Sequence, residues 1–492
     1  MIYKLSISLY FTILYFCDII HIVYIISERS MITMRVRIEK DIIGEKELPL
    51  DAYYGIHTLR GKENFGITKR GLNRQMIKGL ATVKKAAAKA NADSKILTDK
   101  QAKAIILTCD EILNGRLHGQ FITDLIQGGG GILMNMNANE VIANRANEML
   151  GGNKGTYEYI HPLDHVNFGQ SSNDVIQTAG KIAAVRMTKK LLVELKKMQN
   201  AFLDKKEEYA NVLKIGRTHL KEAVPMTFCQ QFQAYAYTIS KNYKRIEQAL
   251  NGMYEINMGA NLIGTGLSTD TKYAKKVVFY INKYTGEEFK ISKNLIETTY
   301  NMDAFLSLSG ALRNLAVDLS KIASDFRLLD MLKEINMPII QLSSTLNVQK
   351  NNPVIPEVVN QVSYFIYGTD ATIAHAVEAG QLEFNPFQPI ILYSLFEALT
   401  LIRRCVRTFR ELCIEGITVN KNVCLENVMK SNSIIAAFIP HIGYDKACKV
   451  VSIANDEERA IPDVILSLNL LDKEKVDNII HNENLTTPGI KG

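Results

Sequence analysis

Four polar segments interrupt otherwise apolar stretches of this chain with hydroxyl, amide and cationic side chains, the groups that grip an anionic substrate and move its protons. The first, residues 127–140, holds a run of four glycines and then Asn135-Met136-Asn137-Ala138-Asn139. Such a run does not sit in a stable helix, so it reads as a loop with exposed backbone N–H groups. The second is Gln170-Ser171-Ser172-Asn173-Asp174, directly ahead of a long apolar-periodic stretch. Serine and asparagine are good N-caps there, and a helix N-terminus with free N–H groups is also a ready carboxylate site. The third is Gly216-Arg217-Thr218-His219-Leu220, followed by Pro225 and a new helix. A lone histidine in such a place is more often structural than catalytic. The fourth is Ser343-Ser344-Thr345, with Lys350, Asn352, Pro353 and Glu357 downstream. A loop of that composition serves equally as a plain surface connection. None of the four identifies a reaction by itself.

The elements that must position these segments are helices. Apolar residues recur at helical spacing over about 73–114, 173–214, 226–253, 303–333 and 356–400, and period-two strand patterns are scarce. Eleven prolines in 492 residues leave room for long uninterrupted helices. The 173–214 stretch exceeds an ordinary globular helix and suits a bundle in which several chains pack together. A chain of this length divides into two or three units. The boundaries read here are an apolar extension over 1–33, an N-terminal domain over 34–170, a central helical bundle over 171–427 and a small domain over 428–492.

Composition narrows the function classes. With 47% hydrophobic and 22% charged residues the chain is an ordinary globular protein. The net charge of +7 comes from dispersed lysines, so no nucleic-acid footprint is indicated. Seven cysteines at irregular spacing, without a CxxC pair or a Cys/His cluster, fit free thiols in a reducing, cytoplasmic setting and give no metal site. Residues 1–33 are apolar enough to span a bilayer, and Arg29, Arg35 and Arg37 after them would keep the body cytoplasmic. The competing reading, favoured here, starts translation at Met31 or Met34. Membrane contact is expected only if residues 1–33 are a real anchor.

Taken together, the four segments resemble the aspartase/fumarase superfamily in order and spacing, from about Met34 to Ile490. The likeness is closest to the aspartase branch. It is carried by Tyr53-Tyr54-Gly55-Ile56-His57-Thr58-Leu59-Arg60, by Gln127-Gly128-Gly129 with Asn135-Met136-Asn137, by Val377-Glu378-Ala379-Gly380-Gln381-Leu382-Glu383, and by Cys413 with Gly416-Ile417-Thr418. The resemblance implies an all-α fold: a long central bundle, with about twenty core helices in a homotetramer, flanked by smaller N- and C-terminal domains. It implies active sites shared by three chains. The implied reaction is reversible elimination of ammonia from L-aspartate to give fumarate, with fumarate hydration as the alternative within the superfamily. No organic cofactor is implied; divalent-metal activation is, without a site to assign.

The resemblance also distributes roles. A serine base removes the proton beside the side-chain carboxylate while donors stabilise the aci-carboxylate that forms. An ungapped register makes Ser344 that base and Thr345 the second hydroxyl; aligning the serine pair instead would select Ser343. Lys350 and Asn352 fall in place for the α-carboxylate. Thr218 and His219 would hold the leaving amino group, with Glu357 setting the charge of His219. Ser171, Ser172 and Asn173 would grip the side-chain carboxylate and amine, with Asn135 beside them.

Two departures lie at the chemistry. The family has Thr-Ser-Thr where this chain has Ile132-Leu133-Met134, and losing one hydrogen bond to a charged group costs about 1.5–3 kcal/mol. In the serine loop, Ser343 replaces a glycine, and Asn347-Val348-Gln349 replaces Met-Pro-Gly. Smaller departures are Leu163, usually Asn, and Gln177, usually Pro. An altered lyase, a silent subunit kept for its oligomer and an error in the gene sequence all fit this pattern.

Overall fold

The computed structural model describes residues 35–342, 345–347 and 351–490. The apolar extension, Ser343, Ser344 and Lys350 lie outside the described residues. The chain opens with an antiparallel hairpin of β1 (Val36–Lys40) and β2 (Glu45–Pro49). Then come α1 (Ile56–Asn64), α2 (Arg74–Asp93), α3 (Asp99–Leu113) and α4 (Ile132–Met149). The long α5 (Ser172–Glu208) leads into an antiparallel hairpin, β3 (Leu213–Thr218) and β4 (Lys221–Thr227), and then α6 (Phe228–Leu250). After α7 (Tyr273–Thr285) and α8 (Leu295–Tyr300) come α9 (Asp303–Met331), α10 (Val354–Glu378) and α11 (Gln388–Leu412). The fold is all-α, with strands confined to short two-stranded pairs.

Five of these helices form the bundle. α5 packs on α6 and α11, α9 on α10 and α6, and α10 on α11. On α9 the buried residues Phe305, Leu308, Leu312, Leu315, Leu319, Ile322 and Phe326 keep the three-to-four spacing of a single core-facing stripe. α5 differs along its 37 residues: positions 173–185 are all buried, and only later does a stripe of Leu191, Leu195, Met198 and Phe202 emerge. The first half of α5 is therefore the axis of the chain's own core. α2 crosses it there, and Gly79 makes the crossing possible, since a Cβ would lie 2.4 Å from the Ala179 carbonyl oxygen.

The structure revises several expected helix limits. The 73–114 stretch is two helices: Lys95 turns left-handed (φ +62°), and Thr98 with Gln101 forms a capping box that starts α3. The 356–400 stretch breaks at 379–387, where buried Asn385 donates to the carbonyls of Ala376 and Val377 and Pro389 enters the first turn of α11. α5 stops at Glu208 rather than near Lys214, because the chain turns over 209–212 and Leu213 begins a strand whose first three residues are all buried. The loop expected over 127–140 ends early, for Ile132 already begins α4 and Asn135–Asn139 are helical.

After α11 come α12 (Lys421–Lys430), α13 (Ile435–Ile442), α14 (Tyr444–Asp456), α15 (Ile461–Ser467), α16 (Lys473–Ile479) and α17 (Asn482–Thr486). Phe438, Val450, Ile461, Val464 and Val476 make an apolar core there, separate from the main one. The tail docks on the β3–β4 hairpin and the start of α6: Ser431 Oγ donates to Glu222 at 2.6 Å and Gln230 Nε2 to the Thr486 carbonyl at 2.8 Å.

Candidate active site

The glycine run is a tight turn whose backbone only glycine adopts freely, with φ +78°, +62° and +93° at Gly129, Gly130 and Gly131. It delivers Ile132 to the first position of α4, and the first N–H groups of a helix have no partner within it. Ile132 is 47% exposed, whereas Met134 and Asn135 are buried. Asn135 Nδ2 donates to Asn167 Oδ1 at 3.0 Å, and its Oδ1 has no partner among the described residues.

The N-terminus of α5 is built more tightly. Ser171 is the N-cap: its Oγ accepts from the Asn173 N–H at 3.2 Å, and its own N–H donates to Asp174 Oδ1 at 3.0 Å. Asp174 is fully buried, and its Oδ2 accepts from the N–H groups of Gly259 (3.2 Å) and Asn261 (3.1 Å). Burial pushes the Asp174 carboxyl up to about 7 despite these donors. Asn173 Nδ2 is already committed to the Leu262 carbonyl at 2.6 Å. Ser172 is half-buried, and no protein partner for its hydroxyl is found among the described residues. Behind this turn Lys84, fully buried, donates to Asn167 Oδ1 at 2.8 Å and Gln170 Oε1 at 3.0 Å. Desolvation pushes its ammonium down to about 7.

Thr218 and His219 sit elsewhere, at the tip of the β3–β4 hairpin, both exposed. The turn consists of His219 and Leu220 between paired Thr218 and Lys221, and both have positive φ, +54° and +61°. That is the geometry of a turn which normally takes Asn-Gly. The hairpin is braced beneath its tip by Glu334, fully buried, which meets Arg217 at 2.6 Å and Lys214 at 3.2 Å. Glu334 also opens the segment that carries the serines. Residues Ile335–Asn336 pair with Thr418–Val419, and Asn351 Nδ2 donates to the Met337 carbonyl at 3.1 Å, tying the two ends of that segment together. Thr345 is exposed, Asn352 half-buried, and Glu357 half-buried in the first turn of α10.

Within one chain these groups form two clusters. Asn135 bonds to Asn167, which also bonds to Gln170 at the head of the α5 turn, while Arg217, next to Thr218 and His219, meets Glu334 at the start of the serine segment. No hydrogen bond or ion pair joins His219 to Glu357 among the described residues.

The lyase family matches residues 44–368, and the fumarase C C-terminus matches residues 434–487. An aspartate ammonia-lyase of Helicobacter pylori is 43% identical over 460 residues, 92% of this chain and 98% of that protein. The chain belongs to the aspartase/fumarase superfamily. The aspartate ammonia-lyase of Escherichia coli K12 is 40% identical over 93% of this chain and 97% of its own length. Among solved structures, a fumarate lyase:delta crystallin from Brucella melitensis, bound to cobalt, superposes with a TM-score of 0.90 at 39% identity, covering 92% of this chain and all of that one. A class II fumarase from Schistosoma mansoni gives 0.88 at 31% identity, covering 91% and 98%.

In this superfamily member the polar turns stand out in the sequence far more than the groups behind them. Lys84 was legible in principle, because it lies one helical turn from Leu80 and Ala88 on the apolar stripe of α2, where a lysine needs a reason. Asn167 and the 257–262 segment gave only weak signals. The latter lies in a stretch with Gly259, Gly264 and Gly266 at positive φ, so its backbone folds onto Asp174 and Asn173.

Proposed function

We propose that this chain is an aspartate ammonia-lyase, working as a homotetramer whose active sites draw on three chains. The observation that carries the reading is identity: 43% and 40% to aspartate ammonia-lyases over nearly the full length of both proteins, against 31% to a class II fumarase.

Ser344 Oγ, as alkoxide, takes a Cβ proton from L-aspartate. The electron pair moves onto the side-chain carboxylate, giving the aci-carboxylate, and returns to form the double bond of fumarate as the C–N bond breaks and ammonia leaves with its pair. Ser171, Ser172, Asn173 and Asn135 hold the carboxylate that gathers charge. Preorganised donors at a helix N-terminus suit that task, because they need no rearrangement as charge develops. Thr345 adds a second hydroxyl, Lys350 and Asn352 hold the α-carboxylate, and Thr218 with His219 receives the amino group, tuned by Glu357. The elimination itself uses no organic cofactor, and divalent-metal activation has no residues assigned to it.

The shared-site reading accounts for the two separate clusters, since His219 of one chain then meets Glu357 of another. The outer faces of the bundle helices support association: Val193, Tyr237, Val317, Tyr364 and Phe365 are each about half exposed or more. We place the enzyme in the cytoplasm, where its described cysteines, all free thiols, would stay reduced. Among the described residues no helix is long and apolar enough to cross a membrane.

A second reading, a silent member kept for its oligomer, rests on Ile132, an exposed apolar side chain at the turn where a hydroxyl is wanted. Fumarate absorbance with L-aspartate, using protein from Met34 onward, separates the two. Steady release is expected, increased about tenfold or more in Ile132→Thr by the restored hydrogen bond. In reverse, fumarate consumption should require ammonia. Consumption without ammonia would identify a hydratase, and silence from both proteins would support the second reading.

A further inference from the structure

The roles assigned above leave out one side chain that touches both halves of the carboxylate-gripping cluster. Asn167 follows the short Pro162–Val166 turn. Its Oδ1 accepts two hydrogen bonds, from Lys84 Nζ at 2.8 Å and from Asn135 Nδ2 at 3.0 Å. Its Nδ2 donates to the Gln170 carbonyl at 3.2 Å, and its own carbonyl accepts from the Gln170 N–H at 3.1 Å. We propose that Asn167 is a positioning residue for dicarboxylate binding: an amide hub, held by Lys84, that fixes Asn135 on α4 relative to the Ser171–Asn173 turn on α5. The proposal rests on reading this site as one for a four-carbon dicarboxylate.

Three physical points support it. Asn135 and Ser171 stand on different helices, and the polar link between their segments among the described residues runs through this amide. Asparagine suits the position because the same group must accept twice and donate once; a carboxylate accepts but does not donate, and leucine, of similar size, does neither. Lys84 is fully buried, and its hydrogen bonds go to two neutral amide oxygens, those of Asn167 and Gln170. Burying an ammonium against neutral acceptors is unfavourable for folding alone, and such arrangements concentrate at functional sites. What the lysine achieves is orientation. It fixes which end of the Asn167 amide faces α4, so that Asn135 is held by its nitrogen and its oxygen is directed elsewhere.

The test uses the full chain from Met34 and two readouts, steady-state fumarate release from L-aspartate and calorimetric binding of fumarate. Asn167→Leu is expected to raise both KM and the fumarate Kd about tenfold while kcat stays within about threefold, the pattern of lost binding geometry rather than lost chemistry. Asn167→Asp keeps both acceptor bonds and should recover part of that loss; it also serves as the readout if the leucine variant does not fold. Because Asn167 is argued to act through Asn135, Asn135→Ala combined with Asn167→Leu should bind fumarate no more than about threefold worse than the poorer single variant. Unchanged KM and Kd, a fall in kcat alone, or fully additive losses would overturn the proposal. A wild-type protein that binds fumarate without turning over aspartate would sink the catalytic reading and leave the binding arm to decide the role of Asn167. A wild-type protein that does neither overturns both.

Discussion

The N-terminus of α5 and the tip of the β3–β4 hairpin serve one proposed site but are built on opposite plans. At α5 the side chains of Ser171, Asn173 and Asp174 are engaged inside the chain, with a fully buried Lys84 behind them. At the tip, Thr218 and His219 are exposed, and two non-glycine residues hold positive φ. The first region is completed by its own chain. The second is rigid at its base and open at its end, the form expected of a group presented to another protomer. The contrast teaches where precision comes from: a hydrogen-bond network within the chain in one place, and a braced hairpin beneath a strained tip in the other.

Removing the brace should have the largest effect. Glu334→Leu leaves Lys214, which is nearly fully buried, and Arg217 without their carboxylate. Breaking a buried pair from one side costs about 3–5 kcal/mol. Urea unfolding should show a loss of that order, with fumarate release falling alongside. A loss under about 1 kcal/mol would mean that the docked tail, not Glu334, holds the hairpin.

At the tip the effect should be on chemistry and not on stability. His219→Asn keeps a residue type that tolerates positive φ, so unfolding should shift by no more than about 0.5 kcal/mol. Turnover should fall about a hundredfold, as for loss of a group assisting the leaving amine. If stability and activity fall together, the tip is structural and the comparison fails.

The buried side of the comparison is sharpened by pH. Burial lowers Lys84 to about 7 in the folded protein from an ordinary 10.5. Between those values the unfolded chain binds the extra proton, so stability rises with pH, at up to about 1.4 kcal/mol per unit for a whole proton. Its charged neighbour Asp174 is raised to about 7 from 3.8, and so acts in the opposite sense below that window. Lys84→Met should therefore flatten the rise in urea midpoint between pH 7.5 and 9.5. An unchanged slope would show that Lys84 keeps its proton throughout.

A smaller effect is expected at the cap itself. Ser171→Ala removes the acceptor for the Asn173 N–H and should cost about 1 kcal/mol. The fumarate Kd should weaken as well, since the same turn presents Ser172. A stability loss with unchanged binding would confine Ser171 to capping.

The two regions also differ in how far the sequence disclosed them. Ser171-Ser172-Asn173-Asp174 ahead of a long apolar run announced an N-cap, and the helices α6 and α9 fell close to their expected limits because their apolar stripes are regular. The glycine turn was visible from composition. The hairpin was not: His219-Leu220 carries no turn signature, and the first residues of β3, Leu213 and Lys214, read as the end of the preceding helix. Lys84 stood out only as a lysine on an apolar stripe and Asn167 hardly at all, since their meaning comes from contacts across 83 residues of chain. Propensity reports local structure; it is silent on a buried cation whose acceptors are supplied by a distant loop.

The smallest expected change tests why such a costly turn exists. Leu220 stands at φ +61° and is 75% exposed, so little packing offsets the roughly 1–2 kcal/mol that a side chain incurs in the left-handed region. Glycine removes that strain but loses more conformational freedom on folding, by about 0.5–1 kcal/mol. The difference should leave Leu220→Gly more stable by a few tenths to about 1 kcal/mol in urea unfolding. If the leucine is there to stiffen the tip, the stabilised variant should nonetheless release fumarate more slowly, by about two- to fivefold, because His219 now samples orientations that the leucine forbade. A variant both more stable and equally fast would show that the strain has no part in the reaction. The open end of the hairpin would then depend on its neighbour, and not on its own backbone, for its geometry.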